Sequence, residues 1–246
     1  MKALILAAGY ATRLYPLTRD YPKPLLKIGT RPIINHIIDK LVEIDGLNEI
    51  IVVTNSKFIS VFRKWAAKLD LDIRLTLVDD KTKDHDDRLG AIGDMNFVIN
   101  KRRIKDDLLV VGGDNLFEDS LGEFMVFARK RRKSPVIGIY NIKSKTNATS
   151  YGVVKLDRKQ RIVDFEEKPQ RPKTTLIAMC LYYFPKDKLY LTKDYFETKA
   201  LQYDATGFYI NWLKTQCYVY GFTFKGRWYD IGHRKFYDEA NSKFAN

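Results

Sequence analysis

Through its first half the chain repeats one pattern: a short continuous apolar run, then a longer stretch with helical spacing. Lys2–Ala7, Glu49–Thr54, Asp72–Val78, Asp107–Val111 and Pro135–Tyr140 read as strands. Pro32–Ile44, Ser56–Lys68, Leu89–Asn100 and Phe117–Arg131 carry helical periodicity, with Ile33, Ile37, Ile38 and Leu41 on one face. A strand that is apolar at successive positions has no face to offer water. Such strands, alternating with helices, imply a mostly parallel sheet covered on both sides, an α/β three-layer sandwich. In these sheets ligands bind outside the carboxyl ends of the strands, which directs attention to the turns after Ala7 and Val111.

The pattern changes after residue 141. Tyr151–Asp157, Arg161–Glu166 and Thr174–Phe184 read as strands joined by short turns, a small antiparallel excursion from a mixed sheet. A helix (Ala205–Lys214), two strands (Gln216–Thr223 and Lys225–Tyr229) and a last helix (Arg234–Phe244) follow. There is no linker, low-complexity tract or internal repeat, and the absence of a hexapeptide repeat argues against a C-terminal β-helix. The expectation is one domain over residues 1–246, with a first part of about 1–115 and a second of about 116–246.

The 43 Lys and Arg against 30 Asp and Glu give a formal charge of +13, which asks for anionic partners. Nucleic acid, a membrane surface and phosphorylated small molecules qualify. The densest basic runs, Lys101-Arg102-Arg103 and Arg129–Lys133, fall at the C-terminal ends of expected helices, where cations oppose the helix dipole. The acidic stretch at residues 79–87 also works against a polyanion. Nucleic acid is therefore disfavoured. No segment approaches the roughly 18 apolar residues of a membrane span. The apolar run at the N-terminus is too short for a signal peptide and is followed by Arg13 and Lys23, so it reads as a buried strand. Cys180 and Cys217 are too few and too far apart for a disulfide framework or a zinc site, which points to a reducing, cytoplasmic setting.

The segment richest in chemistry is Leu6-Ala-Ala-Gly9-Tyr-Ala-Thr12-Arg13-Leu-Tyr-Pro16-Leu-Thr18, followed by Pro22-Lys23-Pro24-Leu25-Leu26. A strand enters a turn of small residues whose backbone N–H groups can approach a phosphate, and Arg13 and Lys23 add positive charge. Two prolines fix the backbone that carries Lys23. The spacing is neither G-x-x-x-x-G-K-[ST] nor G-x-G-x-x-G. Further along stand Gly113-Asp114-Asn115 at a strand end, Tyr151-Gly152-Val-Val, Phe165-Glu166-Glu167-Lys168-Pro169, Leu181-Tyr182-Tyr183-Phe184 and Trp228-Tyr-Asp230-Ile231-Gly232. Taken singly, Asp114 and Asp230 read as helix caps as readily as ligands. Glu167 and Lys168 could form a solvated ion pair, and Trp228 could be core.

Taken together and in order, these segments resemble the sugar-phosphate nucleotidyltransferases, most similarly glucose-1-phosphate thymidylyltransferase and its uridylyltransferase relatives, over roughly residues 1–240. The resemblance implies a Rossmann-like fold of the nucleotide-diphospho-sugar transferase type. It implies the reaction NTP + sugar 1-phosphate → NDP-sugar + pyrophosphate, dependent on Mg²⁺. Asp114 and Asp230 would hold the metal. Arg13 would hold the leaving pyrophosphate, Lys23 the α-phosphate and Lys168 the attacking phosphate. Leu6, Ala8, Gly9, Thr12, Arg88 and Gly90 would border the nucleotide. Asn115, Tyr151, Gly152, Glu167, Tyr182 and Trp228 would border the acceptor. A phosphate monoester, with its second pKa near ~6, is already ionised at neutral pH. The chemistry thus needs no general base, in keeping with a chain that holds only His36, His85 and His233.

Two departures from the family pattern stand out. Where thymine- and uracil-selecting members carry a glutamine-rich segment ending G-L-A-Q-A, this chain reads Asp79-Asp80-Lys81-Thr82-Lys83-Asp84-His85-Asp86-Asp87-Arg88-Leu89-Gly90-Ala91. Transfer from dTTP or UTP to glucose 1-phosphate is the leading expectation. Cytidylyl or guanylyl transfer to mannose 1-phosphate or a phosphocholine-like acceptor is the alternative, as is a silent nucleotide-sugar-binding regulator. The second departure is length: the extra C-terminal helices of longer thymidylyltransferases are not in this sequence, so a monomer or homodimer is expected.

Overall fold

A computed structural model describes residues 1–131, 133–199, 206–232 and 234–244. Arg132 of the second basic run, Ala205 at the start of a predicted helix, and His233 lie outside the described residues. The elements, in chain order, begin with β1 (Lys2–Leu6), a small antiparallel hairpin β2 (Lys27–Ile28) and β3 (Arg31–Pro32), α1 (Ile33–Val42), β4 (Glu49–Thr54) and α2 (Ile59–Ala66). Next come β5 (Arg74–Asp79), α3 (Gly90–Arg102), β6 (Leu108–Gly112), β7 (Asn115–Phe117), α4 (Gly122–Lys130), β8 (Val136–Asn141) and α5 (Lys145–Ala148). The chain continues through β9 (Gly152–Leu156), β10 (Ile162–Glu167), β11 (Leu176–Phe184), α6 (Tyr190–Lys199), α7 (Thr206–Gln216), β12 (Tyr220–Phe224), β13 (Trp228–Asp230) and α8 (Arg234–Phe244).

Among the described residues the main sheet has nine strands. β1 lies at its centre, parallel to β4 on one side and β6 on the other, and β5 extends the β4 side in parallel. On the other side β11 runs antiparallel to β6 and to β8, and β12 is parallel to β8. The long β11 also meets β9 at Ile177, and β9 pairs antiparallel with β10, which makes the expected excursion. Alternating side chains of one strand serve two cores. Ala3 and Ile5 of β1, with Ile50 and Val52 of β4, face the layer of α1, α2 and α4. Leu4, Ile51 and Val53 face the layer of α3, α6 and α7. The apolar runs are continuous because both faces are covered.

Several boundaries differ from expectation. The predicted helix Phe117–Arg131 begins only at Gly122, because Asn115–Phe117 is a buried strand paired with Trp228–Asp230. The strand predicted at Gln216–Thr223 is shorter, since α7 runs through Gln216 and β12 starts at Tyr220. Helix α6 escaped detection: it is polar over most of its surface and anchors itself chiefly through buried Leu191 and Tyr195.

Phe62 of α2 is fully buried, edge-on to Trp65 at 5.8 Å between ring centroids. Phe62→Ala is expected to cost ~3–5 kcal/mol of unfolding free energy, read as a lowered urea midpoint with an unchanged slope.

Candidate active site

The turn after β1 is built by close backbone approach. The Gly113 N–H donates to the Leu6 carbonyl at 2.8 Å, and a Cβ on Gly113 would stand 2.8 Å from that oxygen and 3.1 Å from Pro24 Cγ. Only glycine fits there. The Ala8 carbonyl accepts from Asn55 Nδ2 at 2.8 Å, Ala11 takes a left-handed φ of 49°, and Thr12–Leu14 forms a 3₁₀ turn. Gly9 is exposed, with open space where a Cβ would lie. Pro22 and Pro24 frame a second 3₁₀ turn, Lys23–Leu25, which projects Lys23 to the end of β6.

Asp114 follows β6, and the pairing of β7 with β13 brings Asp230 to it. Asp230 is the register partner of Asn115, and the Ile231 N–H donates to the Asp114 carbonyl at 3.3 Å. Asp114 therefore caps no helix. Its Oδ2 accepts from Lys23 Nζ at 2.5 Å, and its carboxyl group is also hydrogen-bonded to that of Asp230. Burial pushes Asp114 upward, but the Lys23 ammonium outweighs it and holds the carboxyl below its usual range. Asp230, half-buried and facing the Asp114 charge, is pushed up to about 6 by desolvation and by that charge. Two strand-end carboxyl groups thus stand side by side, with the Lys23 ammonium bonded to Asp114 and the charge of Arg13 nearby.

A cavity of about 220 Å³ opens beside them. Arg13, Tyr151, Gly152, Glu167, Lys168, Tyr182 and Asp230 all line it. Gly152 is required, since a Cβ would fall 2.4 Å from Phe165 Cζ. Glu167 packs so closely on α7 that a Cβ on Gly207 would sit 1.8 Å from its Oε2. Burial raises the Glu167 pKa, and Lys168, with Nζ 3.9 Å away, opposes that rise. Lys168 holds a φ of 45° and is more than half exposed at the cavity mouth. The Tyr182 hydroxyl donates to Thr206 Oγ1 at 2.9 Å.

Other predicted residues stand elsewhere. Asn115 is buried with both ends of its amide engaged: Nδ2 donates to the Cys180 carbonyl at 3.2 Å, and Oδ1 accepts from Trp228 Nε1 at 2.7 Å. Trp228 does not line the cavity but stands behind it, 5.4 Å from the Tyr151 ring. Leu6, Ala8, Gly9, Thr12, Arg88 and Gly90 do not line it either. Leu6, Ala8, Gly9 and Thr12 belong to the turn after β1, while Gly90, at φ 73°, opens α3. Arg88 Nη1 donates to the His85 carbonyl at 2.6 Å. The acidic stretch is tied by its own carboxylates: Asp87 accepts from the N–H groups of Lys83 and Asp84, and Asp84 from Asp86.

Sequence reasoning missed Asn55, which follows β4 just as Ala7 follows β1, and the same strand-end rule would have found it. It also missed Phe236, Thr206 and Cys180 on the cavity wall; Cys180 is half-buried, its thiol pushed up to about 12 by desolvation, with φ 52°. Nothing local in the sequence marks these three.

Two carboxylates with oxygen donors suit a hard divalent cation that completes its shell with water and phosphate. Among the described residues no group of three or more His, Cys, Asp and Glu offers an all-protein cage. The raised Asp230 pKa has a stability consequence. Its contribution is fully present below the unfolded value near ~4 and is lost as pH rises through about 6. In chelator, Asp230→Asn is expected to melt above the parent at pH 7.5, with the gap closing by pH 4 in paired calorimetric scans.

Comparison with known proteins gives the family and the fold. A bifunctional protein GlmU of Methanocaldococcus jannaschii is 30% identical over 243 residues, covering 98% of this chain and 53% of the relative. A glucose-1-phosphate thymidylyltransferase of Neisseria meningitidis is 31% identical over 186 residues, 75% of this chain and 61% of its own length. The chain spans about half the length of the GlmU relatives it matches. The crystal structure of a putative glucose-1-phosphate thymidylyltransferase from Bacillus anthracis superposes with a TM-score of 0.84 at 22% identity, covering 100% of this chain and 96% of the other, which establishes the shared fold. Residues 2–246 match the nucleotidyl transferase family, and the chain belongs to it.

Proposed function

We propose that this protein transfers a nucleotidyl group from an NTP to a sugar 1-phosphate, releasing pyrophosphate, with dTTP or UTP and glucose 1-phosphate as the leading pair. The observation that carries the reading is the meeting of Lys23, Asp114 and Asp230 at strand ends beside a cavity with Lys168 at its mouth and Glu167 inside. Residues about 1–115 supply the nucleotide side and about 116–246 the acceptor side of one domain.

The chemistry follows from charge. An oxygen of the acceptor phosphate attacks the α-phosphorus, and the bond to pyrophosphate breaks on the opposite side. Because the attacking oxygen is already ionised, the task is to hold two polyanions in line and neutralise them. Arg13 binds the pyrophosphate portion. Lys23, paired with Asp114 in the free protein, also serves the α-phosphate. Lys168 orients the attacking phosphate. Glu167 accepts hydrogen bonds from sugar hydroxyls, its burial having removed competing water, and Tyr151 and Tyr182 wall the ring. Asp114 and Asp230 would hold Mg²⁺, which supplies Lewis-acid neutralisation of phosphate oxygens when bound. The amide that reads thymine or uracil in similar proteins has no counterpart in residues 79–91, so CTP and GTP compete with UTP and dTTP as donors.

Two measurements test this reading. A panel of the four NTPs and dTTP against sugar 1-phosphates and phosphocholine, with Mg²⁺ and pyrophosphate readout, is expected to give one dominant pair; silence throughout, with nucleotide binding intact, would favour a regulatory binding protein. Lys23→Ala is expected to lower kcat for that pair by roughly 10²–10³-fold, as for removal of one preorganised donor, and full turnover would refute its role.

A further inference from the structure

Tyr10 belongs to the turn after β1, yet only 4% of it is exposed. Its ring lies 6.4 Å from Phe58 and meets His85 edge-on at 6.4 Å. Its hydroxyl is 3.0 Å from Thr82 Oγ1, another buried group. Thr82 Oγ1 donates to Asp80 Oδ1 at 2.8 Å, and the Thr82 N–H donates to the same oxygen at 2.7 Å. A threonine hydroxyl has one proton, so with that proton on Asp80 the Tyr10 O–H is the donor to Thr82. Asp80 also stands against Asp94 in the second turn of α3, so any hydrogen bond between these two acids needs a proton on one of them. Backbone bonds close the frame: Ser56 N–H to the Thr82 carbonyl, and Asp80 N–H to the Thr54 carbonyl, each 2.9 Å. The segments after β1, β4 and β5 are thereby joined by buried hydrogen bonds, and none of Tyr10, Thr82, Asp80 and Asp94 lines the acceptor cavity.

We propose that Tyr10 is a positioning residue for the nucleotide: its hydroxyl, through Thr82 and Asp80, fixes the turn after β1 against the segment that leads from β5 to α3. The inference rests on the reading that the NTP occupies the β1–β4–β5 side of the sheet. It adds to that reading a nucleotide-specific function for a side chain that touches neither acceptor nor reacting atoms. Tyr10→Phe keeps the ring packing and removes only the O–H.

The test pairs equilibrium titration of the Mg²⁺ complexes of the four NTPs and dTTP with steady-state kinetics on the active pair. For Tyr10→Phe, Kd and KM for the nucleotide are expected to rise about fivefold, the effect of one lost buried hydrogen bond. KM for the acceptor should stay unchanged, with kcat within twofold. Thr82→Val should shift the nucleotide KM the same way, Thr82→Ser should restore it, and adding Tyr10→Phe to Thr82→Val should cost nothing more. An unchanged nucleotide KM in Tyr10→Phe, with the parent binding and turning over normally, overturns this inference alone. Both KM values moving together with the melting temperature would mark a merely structural contact and also overturn it. A parent protein that binds none of the nucleotides overturns the inference together with the function it rests on.

Discussion

The arrangement depends on β1 being buried on both faces. Because Ala3, Leu4 and Ile5 are all inaccessible, the strand must have helices above and below and parallel neighbours on both sides. Parallel neighbours align their carboxyl ends, so the segments after β1, β4, β5 and β6 open at the same edge. Arg13, Lys23, Arg88 and Asp114 are carried by these segments, and Asp230 by a strand paired to the one that follows Asp114. The approach of Gly113 to Leu6 is the tightest expression of this constraint, since it leaves no room for a side chain between the turn and the end of β6.

The electrostatics of the site follow from that packing. Two carboxylates brought side by side repel, and burial removes the water that would screen them. Lys23 offsets one, and the other responds with a raised pKa. Such a pair is unfavourable for the free protein and suited to recruiting a cation, a familiar exchange of stability for function. The neighbouring cavity shows the same physics: Glu167 is desolvated among Phe165, Gly152 and Gly207, with Lys168 as its near charge.

Much of this was legible in the chain. Continuous apolar runs specify strands buried on both faces, and the strand-end rule singles out Ala7 and Val111, hence Arg13, Lys23 and Asp114. Asn115 and Trp228 read as substrate contacts but are bonded to each other instead, because β7 pairs with β13 and turns both inward. That pairing joins residues more than a hundred positions apart and leaves no local trace. Helix α6 was invisible for a different reason: three buried side chains, Leu191, Thr192 and Tyr195, one of them polar, do not make an apolar period.

What the sequence by itself determined was the class of fold and the chemical types at its edge, since periodicity and residue type are local properties. Tertiary structure decided which of those groups meet. It set Asp230 beside Asp114 through an antiparallel pairing, closed the neighbouring cavity with Phe236 and Thr206, and buried Tyr10 against Thr82. Proximity across the chain, and the desolvation that follows from it, exist only after the layers have packed.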